Sequence, residues 1–293
     1  MTSLERSLII QALEEDTGRG DPTTAATIDS SIEGKAYFLA KASGVLAGID
    51  IAKEVFVLFA AQSHRENLVR FRSVGKEGSH VSAGEPLDEI YAPLDAILTA
   101  ERVALNLLQR MSGIATLTRE YVKRVQGTNA KILDTRKTAP LLRPFDRYGV
   151  LCGGGTNNRY SLAEMILVKD NHVAANGMDI RQVLDKLKKY FEADAHPLIP
   201  VEIEVTSLEQ FRIILDHGGN IVSRVMFDNF EIGKLREGMA MNAGTFETEA
   251  SGGVNLHSVR AIAETGVDYI SVGALTHSVT GLDISLEIDH VPV

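Results

Sequence analysis

From residue 130 onward the sequence repeats one pattern, a short apolar run that stops at polar residues and is followed by a longer amphipathic stretch. Short apolar runs of this kind are typical of buried parallel strands, and the amphipathic stretches are typical of helices. Alternating strands and helices predict a parallel sheet covered by helices. The predicted strands are 131–134, 165–168, 200–205, 224–227, 246–250 and 269–272. The predicted helices are 179–192, 207–217, 231–240 and 255–265.

The number of predicted strands limits the kind of parallel sheet. We count about six strands, which is fewer than a complete α/β barrel contains. We therefore expect an α/β fold whose C-terminal part is an incomplete barrel. The periodicity alone also allows an open, doubly wound sheet.

The N-terminal part of the chain has a different texture, with short strands punctuated by glycine. An antiparallel sheet with helices, an α+β unit, fits this pattern best. The predicted helices are 3–15, 50–62 and a long one at 94–125, the strands are 35–41, 44–48, 68–73 and 87–91, and 21–24 is predicted as a turn. Because Gly113 is the weak point of the long helix, we place the domain boundary near 110–118. The two domains are then 1–115 and 116–293, and the last residues are free to pack back on the first domain.

Charge and composition narrow the classes of partner. The formal net charge is −9 over 293 residues, which disfavours a nucleic-acid partner. No apolar run reaches the roughly 18 residues of a membrane span, and the first residues lack the features of a signal peptide. The one cysteine, Cys152, stands beside Gly153 and is interpreted as a packing residue rather than a nucleophile. We expect a cytoplasmic protein with no membrane partner.

Functional side chains are expected where the predicted strands end, because the carboxyl ends of parallel strands meet at one edge of a sheet. Cations come first along the chain, then two acids, and then two glycine-rich turns. These strand ends are Asp134-Thr135-Arg136-Lys137, Lys169-Asp170, Glu204, Asp228-Asn229, Ser251-Gly252-Gly253 and Gly273-Ala274. Basic residues crowd one window of this acidic chain, which favours a pocket for a small polyanion; they are Arg136, Lys137, Arg143, Arg147, Arg159 and Lys169.

The acids and the glycine-rich turns at these strand ends are residue types that bind the sugar and the phosphate groups of a sugar phosphate. Glu204 and Asp228 suit a hard cation or ribose hydroxyls, and glycine turns suit phosphate groups. A phosphoribosyl donor and an acidic acceptor would together occupy all three kinds of site. Structural alternatives stay open at this point, since Lys169 also fits an ion pair with a neighbour of Asp170 and Glu204 also fits a solvated charge. Arg102 also fits a side chain lying along the buried stripe of the long helix.

Several motifs closely resemble the quinolinate phosphoribosyltransferase family, and the resemblance covers nearly the whole chain. The motifs are Glu14-Glu15-Asp16, Gly20-Asp21, Thr23-Thr24, Glu101-Arg102, Leu105-Asn106, Ser112-Gly113-Ile114-Ala115-Thr116, Asp134-Thr135-Arg136-Lys137-Thr138, Gly153-Gly154-Gly155, Lys169-Asp170-Asn171-His172, Ser251-Gly252-Gly253 and Val272-Gly273-Ala274-Leu275-Thr276-His277. The resemblance implies an N-terminal α/β sandwich, an incomplete α/β barrel and a homo-oligomer. It also implies an enzyme that joins quinolinate to phosphoribosyl pyrophosphate with Mg²⁺, giving nicotinate mononucleotide, pyrophosphate and carbon dioxide.

The same resemblance implies roles for individual residues. The catalytic residues would be Lys137, Glu204 and Asp228, and the two acids would hold Mg²⁺ directly or through water. The residues implied to bind quinolinate are Arg102, Thr135, Arg136, Lys137, Asn158, Arg159 and Lys169. The residues implied to bind the donor's phosphate are Ser251, Gly252, Gly253, Val272, Gly273 and Ala274. Arg102 would enter the neighbouring subunit's site.

One position departs from the family pattern. The family's Asn-His-Arg triplet is Asn157-Asn158-Arg159 in this chain. Asparagine donates a hydrogen bond but carries no charge, so the change bears on affinity for an anionic ring. It keeps open a related phosphoribosyltransferase, such as the molybdenum-transport-associated homologues, acting on another anionic ring. A non-catalytic sensor of a phosphate ligand is the other alternative.

Overall fold

The computed structural model describes residues 1–193 and 198–289. Two compact units divide the chain, and each is built from separate stretches of sequence. The first unit contains Met1–Arg119, Thr138–Gly154 and Leu275–Val293, and the second contains Glu120–Lys137 and Gly155–Ala274. The boundary between residues 115 and 116 stays a prediction, and residues 290–293 of the predicted C-terminal domain lie outside the described part of the chain.

The first unit is built on an antiparallel sheet. Its strands are β1 (Glu33–Ala40), β2 (Gly44–Val45), β3 (Arg70–Arg72), β4 (His80–Val81), β5 (Pro86–Pro93) and β12 (Ile284–Ile288). Its helices are α1 (Ser3–Thr17), α2 (Pro22–Thr27), α3 (Ile49–Ala61) and α5 (Arg143–Cys152), together with most of α4 (Leu94–Arg124) and α11 (Ala274–His277). Four strands form one sheet in the order β12-β1-β5-β3, and β2 pairs with β4.

Strand β1 shows why this sheet has one buried face. Its side chains alternate between buried and less buried positions, with Ala36, Phe38 and Ala40 turned inward. Alternation of this kind is expected for an antiparallel sheet that packs one face on a core. Phe38 packs edge-to-face on Phe56 of α3 with ring centroids 6.3 Å apart. Strand β12, from the end of the described chain, pairs with β1 and completes this sheet.

Gly113 serves a different purpose from the one expected. It lies buried within α4, and an added Cβ would stand 2.0 Å from the carbonyl oxygen of Thr280. Only glycine permits such a close backbone approach. Gly113 is therefore a packing site for the segment that leads into β12, and α4 continues through it without a break.

Three elements of the first unit differ from the sequence prediction. The predicted turn at 21–24 is the start of α2, whose N-cap Asp21 accepts a hydrogen bond from the Thr24 N–H at 3.0 Å. An aspartate followed by proline is a recognised helix start, so this signal was present in the sequence. Helix α5 and strand β12 were not predicted at all. Both carry readable signals, a proline in the first turn of α5 and alternating apolar residues in β12.

The second unit is built on a parallel sheet of six strands. The strands are β6 (Lys131–Leu133), β7 (Ile166–Val168), β8 (Val201–Val205), β9 (Arg224–Asp228), β10 (Glu247–Ser251) and β11 (Tyr269–Ser271). The helices are α6 (Asp170–Ala174), α7 (Ile180–Glu192), α8 (Leu208–His217), α9 (Ile232–Asn242) and α10 (Val259–Ala263). Each predicted strand is present within two residues of its expected ends. The predicted fold class, a mixed α/β protein with an incomplete barrel, is confirmed.

The sheet order explains why the barrel is incomplete. The strands follow one another as β6-β11-β10-β9-β8-β7, so β6 and β7 are the two edges. Aromatic packing fills the space behind the central strands, where Phe227 lies 5.0 Å from Phe211 and 5.2 Å from Phe230, measured between ring centroids. Among the described residues, no helix is both long enough and apolar enough to span a membrane.

Leu141 has a backbone conformation that a leucine rarely adopts, with φ at +66°, and its side chain is 69% exposed. The left-handed region costs an L-residue about 1–2 kcal/mol, and glycine avoids this cost. We expect Leu141→Gly to stabilise the protein by about 0.5–1 kcal/mol in urea unfolding. Leu162 is 68% exposed and lacks a positive φ, so Leu162→Gly is the control and should be destabilising. Destabilisation by both substitutions would contradict the strain argument.

Candidate active site

The carboxyl ends of the six parallel strands meet at one edge of the second unit. The ends of the two edge strands, β6 and β7, carry cations, whereas the central strands carry acids and glycines. Going across the sheet from β6 to β7, these ends are Asp134–Lys137, Val272–Ala274, Ser251–Gly253, Asp228, Glu204 and Lys169. The structure therefore places on one unit all the predicted site residues except Arg102 and the two arginines of the basic window that lie in the first unit, Arg143 and Arg147.

The gap between β6 and β7 is spanned by residues 155–165, which we call the bridging segment. Thr156 pairs with Leu133 at the edge of β6. Further along, the Arg159 Nη1 donates to the Met165 carbonyl at 2.8 Å, just before β7 begins. Asp134 anchors the same segment, because its fully buried carboxylate accepts the Asn158 N–H at 2.7 Å. The bridging segment thus holds Arg159 between the two basic strand ends.

Arg136 and Arg159 form the most strongly cationic part of the site. The Nε of Arg136 is buried and has no hydrogen-bond partner. Burial lowers the pKa of the Arg159 guanidinium, and the positive charge of Arg136 lowers it further. Two neighbouring guanidinium groups, one with an unsatisfied buried donor, are costly unless an anion joins them. This is the strongest structural sign of an anion-binding pocket.

Three polar residues complete this side of the site. The Thr135 hydroxyl accepts the Lys137 N–H at 3.2 Å, which shapes the turn after β6 and leaves the Lys137 side chain exposed. The Asn158 Oδ1 accepts the Arg159 N–H at 2.8 Å, so the amide oxygen is turned toward its own chain. In any asparagine, the NH₂ group is the donor that suits an anion, because the amide oxygen only accepts.

Lys169 and Glu204 form an ion pair, with Nζ and Oε2 3.0 Å apart. The Lys169 side chain is 47% exposed, whereas that of Glu204 is 8% exposed. The alternative of a solvated charge is therefore wrong for Glu204, which is buried, and Lys169 pairs with Glu204 rather than with a neighbour of Asp170. This ion pair does not remove them from the site, because both stand at carboxyl ends of neighbouring strands.

A glycine turn follows β10, next to the end of β9. Gly252 and Gly253 both have positive φ, and a Cβ on Gly253 would meet nothing within 4 Å, so the turn is open on that side. The helix expected to begin near Asn255 begins only at Val259 and has five residues. The intervening turn is closed by the Asn255 Oδ1, which accepts the His257 N–H at 2.9 Å. Helix polarity therefore adds little here, and exposed backbone N–H groups remain the reason to expect phosphate binding.

The second predicted phosphate element follows β11. The Val272 N–H donates to the Leu133 carbonyl at 3.0 Å, which ties this turn to β6. Gly273 comes next, and Ala274 begins the four-residue α11. The residues Val272–Ala274 thus stand between the basic end of β6 and the glycine turn after β10.

A cluster of buried charges inside the sheet was missed in the sequence. Glu202 and Glu204 stand two residues apart on β8, so their side chains face the same side of the sheet, and both are buried. The neighbours of Glu202 were not foreseen: the fully buried Glu249 accepts from the Arg224 Nη1 at 3.3 Å and is hydrogen-bonded by Ser271. Burial and the Glu249 carboxylate raise the pKa of Glu202 well above its usual value. No local pattern signals such a cluster, because its members come from different strands.

Arg102, Arg143 and Arg147 belong to the first unit. Arg102 lies on α4 with its side chain 57% exposed, and its Nη2 is 3.8 Å from the Glu101 carboxylate. Arg143 begins α5 and donates from Nε to the Thr138 hydroxyl at 3.2 Å. The basic window of the sequence is therefore divided between the two units.

The acids fit a metal that arrives with a substrate. Among residues 1–193 and 198–289, no three His, Cys, Asp or Glu side chains are grouped closely enough to hold a metal ion. Mg²⁺ is commonly bound by one or two carboxylates together with substrate phosphates. Glu204 and Asp228, on neighbouring strands, match that donor set and do not match a site made of protein alone.

Cys152 can be tested directly as a nucleophile. Burial, followed by the negative charge of Glu77, raises the pKa of the Cys152 thiol to about 12. Thiolate is therefore scarce below that pH, and we expect labelling by a disulfide reagent at pH 8 to be about a thousandfold slower in the native than in the unfolded protein. The native rate should rise with pH, and Glu77→Gln should raise it at fixed pH. A native rate within tenfold of the unfolded rate would contradict this.

Three comparisons with known proteins agree with this arrangement. Family models described as "Quinolinate phosphoribosyl transferase, N-terminal domain" and "C-terminal domain" match residues 21–112 and 114–287. The chain is 42% identical to "Quinolinate phosphoribosyltransferase [decarboxylating] 2b, mitochondrial" of Nicotiana tabacum, over 95% of this chain and 80% of that protein. It is 40% identical to the "Probable nicotinate-nucleotide pyrophosphorylase [carboxylating]" of Bacillus subtilis, over 94% of this chain and 90% of that protein. The crystal structure of NadC from Streptococcus pyogenes is similar with a TM-score of 0.89 and 34% identity, covering 99% of this chain and 98% of that one.

Proposed function

Because the chain belongs to the quinolinate phosphoribosyltransferase family, we propose that it transfers a phosphoribosyl group from phosphoribosyl pyrophosphate to quinolinate. The products are nicotinate mononucleotide, pyrophosphate and carbon dioxide, a step of de novo NAD biosynthesis. The observation that carries the proposal is the buried, unpartnered Nε of Arg136 beside Arg159. A pyridine dicarboxylate supplies the negative charges that such a pair of guanidinium groups lacks.

The acceptor is held by the basic strand ends and the bridging segment. Arg136, Lys137, Arg159 and Lys169 surround the two carboxylates, and the Asn158 amide adds an uncharged donor. Guanidinium groups bind carboxylates through paired N–H donors, which fixes the plane of the ring as well as its place. The ring nitrogen can then be presented toward the donor, whose phosphate is held by Ser251, Gly252, Gly253 and Gly273, with Val272 and Ala274 supporting that turn.

The reaction is a displacement followed by loss of a carboxylate. The bond between ribose C1 and the pyrophosphate oxygen breaks with both electrons leaving on pyrophosphate, and the pyridine nitrogen forms the new bond to C1. Mg²⁺ bound with the pyrophosphate supplies positive charge that stabilises this leaving group. The pyridinium ring then takes up the electrons of the C2–carboxylate bond as carbon dioxide departs, and C2 gains a proton. Cations that bind the carboxylate that is retained hold the ring in place without opposing the loss of the 2-carboxylate as carbon dioxide.

Glu204 and Asp228 are assigned to the donor's ribose hydroxyls and its magnesium-bound pyrophosphate. Lys169 is assigned to both sides of the site. Its ammonium pairs with Glu204 at 3.0 Å, and Lys169 also lies at the basic end of β7. It therefore connects the acceptor side of the site to the donor side. Lys137 is assigned the role of stabilising negative charge that develops near the reacting carbons.

The direct test uses the purified protein with quinolinate, phosphoribosyl pyrophosphate and Mg²⁺. Carbon dioxide and nicotinate mononucleotide should appear in equal amounts. Nicotinate is the matched control substrate, since it lacks the 2-carboxylate and should not be used efficiently. Efficient use of nicotinate with none of quinolinate would overturn the proposal.

Glu204→Ala and Asp228→Ala are expected to affect the donor more than the acceptor. Each removes a charged hydrogen-bonding group, so the KM for phosphoribosyl pyrophosphate should rise about tenfold to a hundredfold. Quinolinate affinity, measured by calorimetry without the donor, should change much less. Loss of quinolinate binding with donor binding intact would reverse the assignment of the two acids.

We further propose a homo-oligomer in which Arg102 enters the site of a neighbouring subunit. The support is its exposed position on α4 in the first unit, together with the family's implied assembly. The cytoplasmic compartment expected from the sequence stays a prediction, and the name of the N. tabacum relative assigns that protein to mitochondria.

A further inference from the structure

Asn229 stands between the two parts of the proposed donor site and has no role so far. It follows Asp228 at the end of β9 and has φ at +56°, in the left-handed region. Asparagine tolerates this region better than most residues, but the conformation still favours glycine. The side chain is exposed, so packing in a core does not explain why the residue at this position is an asparagine.

Three contacts connect Asn229 to residues on both sides. Its Nδ2 donates to the Asp228 Oδ2 at 2.6 Å. Its backbone N–H donates to the Ser251 carbonyl at 2.9 Å. Its Oδ1 lies against Gly252, where an added Cβ would stand 2.2 Å away. One residue therefore touches the carboxylate at the end of β9 and the glycine turn at the end of β10.

These contacts restrict both partners. The amide donates to one oxygen of Asp228 and so restricts the orientation of the carboxylate, and this hydrogen bond does not use the other oxygen. The same amide packs against Gly252 and limits how that turn can move. A site built on strand ends works only when its groups are held to within about half an ångström of the required geometry.

We propose that Asn229 is a positioning residue that fixes the Asp228 carboxylate and the Ser251–Gly252 turn relative to each other, so that one phosphoribosyl donor meets both. The proposal rests on the proposed function, since it assigns the acid to the ribose–pyrophosphate end and the turn to the 5′-phosphate end. Within residues 1–193 and 198–289, no hydrogen bond or ion pair joins Asn229 to the acceptor side, which should be unaffected by its loss.

Two substitutions separate the amide from the backbone conformation. Asn229→Gly keeps the left-handed backbone and the N–H bond to Ser251 but removes the amide. Asn229→Asp keeps the shape and replaces the donor with a carboxylate that repels Asp228. Because each loses a hydrogen bond to a charged group, we expect the Kd for phosphoribosyl pyrophosphate with Mg²⁺ to rise about tenfold to a hundredfold in both.

The experiment is calorimetry on the full chain with phosphoribosyl pyrophosphate and Mg²⁺, and separately with quinolinate, followed by steady-state kinetics. The donor's Kd and KM should rise while the quinolinate Kd stays within about twofold of the parent value, which is well under 1 kcal/mol. Asn176→Gly is the matched control, because Asn176 is a half-buried asparagine of the same unit that donates to the His172 carbonyl at 2.7 Å. It should leave both affinities unchanged.

Three results would overturn the proposal: unchanged donor affinity in both variants, an equal loss of donor and quinolinate affinity, or a lowered unfolding temperature that accounts for the loss. Failure of the proposed function looks different. In that case the parent protein itself forms no nicotinate mononucleotide, whereas donor binding by calorimetry still reports on Asn229.

Discussion

Arg102→Ala and Lys137→Ala, each nearly inactive alone, are expected to regain about a quarter of the parent activity when their subunits are exchanged. Arg102 lies on α4 of the first unit, and Lys137 follows β6 in the second. If Arg102 serves the neighbour's site, a hybrid dimer has one site with both side chains intact and one site lacking both. Random exchange makes about half of the dimers hybrid, which gives the expected fraction. Activity is measured after exchange has been verified by mass spectrometry.

The matched control pairs two variants of the same unit. Lys137→Ala and Lys169→Ala both remove cations that belong to the second unit. Every site in their hybrid keeps one of the two defects, so exchange should restore nothing. Recovery in this control would show that the assay responds to something other than shared sites. No recovery in the Arg102 pair, with exchange verified, would mean that Arg102 acts within its own chain or only in packing.

Asp146→Ala is expected to lower the free energy of unfolding by about 3–5 kcal/mol. The Asp146 carboxylate is fully buried and accepts two hydrogen bonds from Arg110, at 2.7 Å from Nε and 2.9 Å from Nη2. Removal of the carboxylate leaves the mostly buried guanidinium without its counter-charge, which costs far more than the pair contributes. The change in free energy follows from the midpoint of urea unfolding.

An exposed ion pair of similar geometry provides the control. The Arg260 Nε and the Glu264 Oε1 are 2.6 Å apart, the two residues are four apart in sequence, and about half of each side chain is exposed. Glu264→Ala should therefore cost only about 0.3–0.5 kcal/mol. If Asp146→Ala costs no more than Glu264→Ala, the Arg110–Asp146 pair does not stabilise the first unit.

Most strands of the parallel sheet were predictable because they are short, largely buried runs that contain apolar residues. Strand β8 illustrates this, since all five of its residues are buried. The site edge followed from the same runs, because the direction of a parallel strand fixes which residues stand at its carboxyl end. Local patterns of this kind need no knowledge of what the side chains contact.

Pairs between distant residues were out of reach for the same reason. Asp146 and Arg110 are 36 residues apart, and Arg224 and Glu249 are 25 apart on adjacent strands. Neither local sequence indicates the partner, because the residues next to a charged side chain in sequence do not show whether that side chain is buried or exposed. Asn229 was named at a predicted strand end but was given no role, since its contacts with Gly252 depend on the sheet order.

The open barrel has an evolutionary consequence. A closed barrel would place a hydrogen-bonded strand where this protein has the bridging segment, and every change there would disturb two ladders. Here the segment is attached to the edge of β6 through Thr156 and Asp134, and Arg159 reaches the Met165 carbonyl beside β7. Side chains between those anchors can change while the sheet keeps its pairing. Relatives that accept different planar anions should therefore diverge first at positions such as Asn158, so acceptor choice can drift independently of donor binding and of folding.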